Sequence, residues 1–74
     1  MNEFEILARP GEEKRLERFI AKSYPDYTKY IGPEGREEFA FVAKGDAQFI
    51  IDCVNNGAAF VSRGLYLIKK MKKV

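Results

Sequence analysis

Between Arg36 and Gly57 the chain reads REEFAFVAKGDAQFIIDCVNNG, and its apolar spacing changes from a strand's to a helix's about one glycine. Residues from about 37 to 43 are rich in Phe, Val and Ala, which suits a pleated strand. Gly45 breaks that run, and Asp46 is a side chain suited to accept from the first free amides of a helix. Ala47, Ile50, Ile51 and Val54 then recur at i, i+3, i+4 and i+7, with Phe49 and Cys53 on the flank. Asn55-Asn56-Gly57 predicts the stop, with Gly57 in the left-handed cap.

The remainder arranges itself around this unit. Phe4, Ile6 and Ala8 alternate with Glu3, Glu5 and Arg9, the period of a half-buried strand, with Leu7 the exception. Pro10-Gly11 ends it. Leu16, Phe19, Ile20 and Tyr24 share one face of a helix over about 11–23, begun by Glu12 and Glu13, where the helix dipole favours negative charge. Pro25 stops that helix. Asp26–Ile31 has the composition of a short second strand, and Gly32-Pro33-Glu34-Gly35 suits a type I turn joining it to the third. Ala58–Val61 and Leu65–Lys70 read as two short strands about Ser62-Arg63-Gly64, or as one longer strand with a bulge at Gly64. Lys69–Val74 is expected to fray beyond it. The order is βαββαβ, a single α+β domain of the ferredoxin-like class. It predicts a four-stranded antiparallel sheet with two helices on one face and the other face open.

Composition narrows the function. The 74 residues contain no histidine and one cysteine, so no intrachain disulfide, His-based acid–base pair or cysteine-based zinc site can be assembled. No cofactor or metal is expected, and a reducing, cytoplasmic setting is. No run approaches the roughly 20 apolar residues of a membrane span, and a secretory leader is not expected. Residues 1–38 carry a net −2 and residues 39–74 a net +4, so the positive charge gathers at Lys69, Lys70, Lys72 and Lys73. Cys53 suits a small buried hydrophobe better than a nucleophile. The acidic residues Glu12, Glu13, Glu17, Glu37 and Glu38 form no defensible catalytic pair, and no phosphate-binding loop is present. An enzyme is not expected.

Phe39-Ala40-Phe41-Val42, followed by DAQFIIDCVNNG and GLYLIKK, resembles the second half of an RNA-recognition-motif (RRM) domain. That family's third strand carries an aromatic, a small residue, an aromatic and an aliphatic in turn. PGEEKRLERF is similar to its first helix. The resemblance implies that Phe39 and Phe41 face solvent and stack on bases. Glu37 and Glu38 stand where the family has a basic residue and a glycine, Lys44 replaces a buried aromatic, and Glu5 takes the place of another stacking aromatic. Acidic neighbours disfavour a polyanion, so such a surface suits a protein partner better.

Two orientations of the third strand remain open, because Ala40 and Val42 are apolar as well. In one, Phe39 and Phe41 lie on the open face. In the other, Phe39, Phe41 and Ala43 enter the core while Glu38 and Lys44 meet water. Tyr66 and Ile68 join the open face if Leu65 and Leu67 are core. The aromatic–basic cluster of Tyr24, Tyr27, Lys29 and Tyr30 reads either as interface anchors or as half-buried strand residues. The leading expectation is a non-catalytic inhibitor or adaptor that docks on a larger protein, or on its own copy, by its sheet face or edge. Phe39, Phe41, Tyr66, Ile68, Glu5 and Glu37 are its candidate contacts. The alternative is a single-stranded nucleic-acid binder using Phe39, Phe41 and Tyr66 for stacking and Arg9, Lys69 and Lys70 for phosphate.

Overall fold

The computed structural model describes residues 2–33, 37–63, 66 and 68–74. Strand β1 (Asn2–Ala8) leads to helix α1 (Glu13–Ser23), β2 (Thr28–Ile31), β3 (Phe39–Gly45), helix α2 (Ala47–Asn55) and β4 (Ala58–Ser62). A 3-10 turn at Ile68–Lys70 and a two-residue strand β5 (Lys72–Lys73) follow. This is a small α+β fold with two helices and a five-stranded antiparallel sheet in the order β4-β1-β3-β2-β5.

Register decides the faces. Phe4 lies opposite Ala43 and Ile6 opposite Phe41, and all four are buried beneath the helices with Leu16, Ile20, Phe49 and Cys53. Glu5 opposite Val42, and Leu7 opposite Ala40, therefore occupy the helix-free face. Phe49 is the hub of the helix layer: its ring contacts Tyr24 at 4.2 Å, Phe4 at 5.8 Å and Phe19 at 6.3 Å between centroids. Gly45 makes room for it. A Cβ there would stand 2.6 Å from the Phe49 ring, and this glycine, paired with Asn2, is the last residue of β3, where the sequence predicts the strand to end. Asp46 caps α2 as expected, its Oδ1 accepting from the Phe49 amide at 3.2 Å. Gly57 adopts φ +110°, a region L-residues rarely enter, with Glu12 close beside it.

The chain departs from the sequence-based expectation after β4. Ile68–Lys70 is a 3-10 turn where the extended pattern predicts strand. Residues 72–73, expected to fray, pair with Tyr30 and Ile31 at the far edge of the sheet, and the Val74 amide donates to the Lys29 carbonyl at 2.9 Å. The chain thus passes from one edge to the other, and Glu5 marks the crossing. Its Oε2 accepts from the Ile68 amide at 2.9 Å and its Oε1 from Ser62 Oγ at 3.2 Å. Glu5 is fully buried on a face that carries no helix. That face is covered at its centre, not open. The turn at 32–35 and the residues Gly64, Leu65 and Leu67 lie partly or wholly outside the described residues.

Two substitutions test this packing. Glu5→Ala removes the acceptor of a buried amide and hydroxyl, and is expected to cost about 1–3 kcal/mol of stability in urea titrations. It should also speed amide exchange at Ile68 and Val74; an unchanged midpoint with unchanged exchange would refute the crossing. Gly45→Ala forces the Phe49 ring to move and should cost about 1–3 kcal/mol by the same measurement, whereas tolerance would mean that α2 sits farther from β3.

Candidate functional site

The expected docking residues do not form one surface. Phe41 is fully buried in the core, and Phe39, on the same face, is half-buried beneath the Lys29 ammonium, 5.0 Å from its ring centroid. Of the two orientations open to β3, the structure takes the one with its aromatics inward. Glu5 lies on the opposite face, and Glu37 is exposed in the segment before β3. Neither rims an aromatic platform. Tyr66 is 73% exposed, with the Lys69 Nζ 6.0 Å from its ring, and Ile68 is half-buried over Glu5. Lys69 and Lys70 are exposed, whereas the Arg9 guanidinium donates to the Val54 carbonyl at 3.3 Å.

The tyrosine–lysine cluster is structural. Tyr27 Oη and Lys29 Nζ each donate to Glu17 at 2.9 Å, tying β2 and the segment before it to α1. Burial alone would raise the Glu17 pKa, but these two hydrogen bonds outweigh it and hold the carboxyl below its ordinary value. The same bond to Glu17, with burial, raises Tyr27. Burial likewise raises Tyr24, with Asp46 and Asp52 adding to it.

The exposed apolar residues collect elsewhere. The sequence pattern assigns α2 an inward face of Ala47, Ile50, Ile51 and Val54, but the structure turns it toward Phe49 and Cys53, which are buried. Ile51 and Val54 are left 54% and 44% exposed. The reason is size and position: Phe49 alone fills the space above Gly45, and the helix rotates to place it. On its α1 side, α2 contributes Asn56 to a groove lined by Arg15, Arg18, Phe19 and Lys22. Ile50 and Val54 lie on the opposite flank, about 120–160° round the helix from Asn56, toward β4.

Strand β4 ends the sheet on that side. Its sequence, AAFVS, has no charge and no proline, and Phe60 is 50% exposed with Ala59 also at the surface. The other edge is different: β5 is two lysines long. Sheet edges are ordinarily blunted by charge, proline, brevity or a bulge; the β5 edge has charge and brevity, and the β4 edge has a register shift against β1 between Leu7 and Ala8. Sequence reasoning missed the exposure of Ile51, Val54 and Phe60. The available signal was the composition of α2, where Ala47, Phe49, Ile50, Ile51, Cys53 and Val54 exceed what one helix face can bury.

Among the described residues no group of three or more His, Cys, Asp or Glu could hold a metal ion. No helix among the described residues is long and apolar enough to cross a membrane. Beside the end of α1 a cleft of about 380 Å³ is lined by Tyr24, Pro25, Thr28, Glu3, Asp26 and Lys44, among others, and contains none of the expected contact residues. Arg15 Nη2 donates to the Asn55 carbonyl at 2.6 Å, so with Arg9 two cations sit at the carbonyl end of α2.

Burial pushes the Cys53 thiol up to about 12 from its ordinary value near 9, and Asp52 adds to the shift. The folded chain therefore keeps a proton that the unfolded chain releases. The stabilisation is complete below about pH 9 and is lost as pH rises toward 12. Cys53→Ala should flatten the decline of the urea midpoint between about pH 9 and 10, before the raised tyrosines contribute. A slope equal to the parent's would mean that the thiol ionises as freely folded as unfolded.

No family model, no curated protein and no solved structure matches this chain.

Proposed function

We propose that this chain is a non-catalytic protein-binding module, a ferredoxin-like plait with a fifth strand, that docks through its β4 edge. The observation that carries the reading is the uncharged edge strand with its half-exposed Phe60, which the register sets on the helix-free face beside Leu7. An uncharged edge strand with an exposed aromatic is a feature of contact surfaces. An extended segment added there gains main-chain hydrogen bonds along the strand and apolar contacts from alternate side chains. Cys53, buried and held protonated, offers no nucleophile. Inhibitor and adaptor roles both suit such a surface.

A nucleic-acid reading keeps one observation. Tyr66 is exposed beside Lys69, with Lys70, Lys72 and Lys73 following, an aromatic and cations on one segment. It loses Phe41 to the core and Arg9 to the end of α2. Titration with mixed RNA and DNA oligomers at low salt is its test. Saturable binding that Tyr66→Ala weakens, and that falls steeply with added salt, would put nucleic acid first.

For the lead reading, tagged chain is used to capture proteins, its own copy included, beside Phe60→Lys and a control, Lys14→Glu, on the exposed side of α1. Circular dichroism verifies that each variant is folded. Retention should fall at least about tenfold with Phe60→Lys, equivalent to about 1.4 kcal/mol, and stay unchanged with Lys14→Glu. Equal retention by parent and Phe60→Lys would overturn the edge as the docking surface.

A further inference from the structure

We propose that the groove between α1 and α2 is a second contact surface, and that its occupant is an acidic segment of a different protein, held by Arg18 and Lys22 with Arg15 beside them. The groove lies on the side of α2 away from β4, so it stands or falls without the β4 edge.

Helix α1 sorts its charges by flank. Glu13 and Glu17 fall within about 40° of each other on the flank that meets β2, where Glu17 accepts from Tyr27 and Lys29. Arg15, Arg18 and Lys22 fall within about 60° of one another toward α2, and line the groove with Phe19 and Asn56. A surface helix is steadied by opposite charges at i and i+4. Arg18 and Lys22 occupy those positions with like charge, which is unfavourable. The nearby carboxylates are engaged elsewhere: Glu12 with Arg15, Glu17 with Lys29, Asp46 as the cap of α2, and Asp52 as acceptor from Gln48. Among the described residues neither Arg18 nor Lys22 forms a salt bridge, and both are exposed.

The extent of the groove selects its occupant. From Arg15 to Lys22 the helix rises only about 10 Å, and acids bound the stretch: Glu12 and Glu13 at the start of α1, Asp26 beside its end. A nucleic-acid chain takes a broader basic face and would run on to those acids. A short anionic stretch of protein meets the cations alone. Arg18 and Lys22 stand about 6 Å apart along the axis, the spacing of carboxylates at i and i+4 of a partner helix. Phe19, half-buried in the lining, gives an apolar side chain of the same segment a surface to pack on, which a run of phosphates does not use. Arg15 is already oriented, its Nη2 on the Asn55 carbonyl and its Nη1 on Glu12. This chain offers no such segment to its own copy. The carboxylate pair its helices carry at that spacing is Glu13 and Glu17, and Glu17 is committed to Tyr27 and Lys29.

The test is an NMR titration of the isotope-labelled full chain, at low salt, with a short amphipathic peptide of glutamate and leucine and with its twin carrying glutamine for glutamate. The glutamate peptide should shift the amides of residues 15–22 and 48–56 saturably, and the twin should not. Arg18→Gln combined with Lys22→Gln should raise Kd at least about tenfold. Because it removes a like-charge pair, that double variant should unfold at an unchanged or higher urea concentration, so lost binding is not lost folding. Lys72→Gln combined with Lys73→Gln, the same change of charge at the far edge, should leave Kd within about twofold, as should Phe60→Lys. No saturable shift up to about 1 mM peptide overturns the proposal, as does equal binding of the twin or a Kd indifferent to the double variant. Tighter binding at these amides by an oligothymidine than by the glutamate peptide overturns it too, and gives the groove to nucleic acid. The β4 edge can fail its capture test while this groove binds, and the reverse, because Phe60 takes no part in it.

Discussion

A buried carboxyl group with defined partners governs what this sheet can present. Burying Glu5 without hydrogen bonds would cost several kcal/mol on the usual range of about 2–7 for a neutral polar group, and more for a charge. The chain meets that demand by bringing the Ile68 amide and the Ser62 hydroxyl to it. To do so it must cross above β1, and having crossed it can reach the outer edge of β2 and add β5. The helix-free face is thereby covered at its centre, about Glu5.

The two side walls of the sheet are built on opposite principles. At the β2 side the edge is finished by a short lysine strand whose side chains stay in water. At the β4 side a five-residue uncharged strand ends the sheet, and the helix beside it turns apolar side chains outward. The rotation of α2 that exposes Ile51 and Val54 is the same one that seats Phe49 over Gly45, so core packing and surface character are a single choice. A helix with six apolar residues in nine cannot hide them all, and the largest takes the inside.

Much of the architecture was legible in the sequence because it is written locally. The alternation of Phe4 and Ile6 with Glu3 and Glu5, the spacing of Leu16 and Ile20, the Asp46 cap and the Gly57 stop each depend on neighbours a few residues away. They placed the first six elements to within two residues or so at most ends. The orientation of β3 was not legible, because Phe39 and Phe41 alternate with Ala40 and Val42, and both sets are apolar. What resolves it is the register that sets Phe41 opposite Ile6, a pairing 35 residues distant in sequence. The lysine strand was illegible for another reason: it has no apolar face, and only its backbone takes part. Gly45 ends β3 as its sequence suggests, but its second role, leaving room for Phe49, is not legible, because a glycine needed for space looks the same in sequence as one needed for a turn. The RRM-like spacing of Phe39-Ala40-Phe41-Val42 placed the right strand and assigned its aromatics to the face they do not occupy.

The bond between Glu5 and Ile68 joins positions 63 residues apart. Closing so long a loop costs more chain entropy than the shorter-range contacts of the helix-side core, so the crossing is expected to close after them. In that interval the helix-free face is bare, with a polar group waiting at its centre. Water can serve Glu5 until then, where an apolar residue would invite a wrong partner, so the same carboxyl that later fastens the crossing keeps the unfinished sheet from sticking.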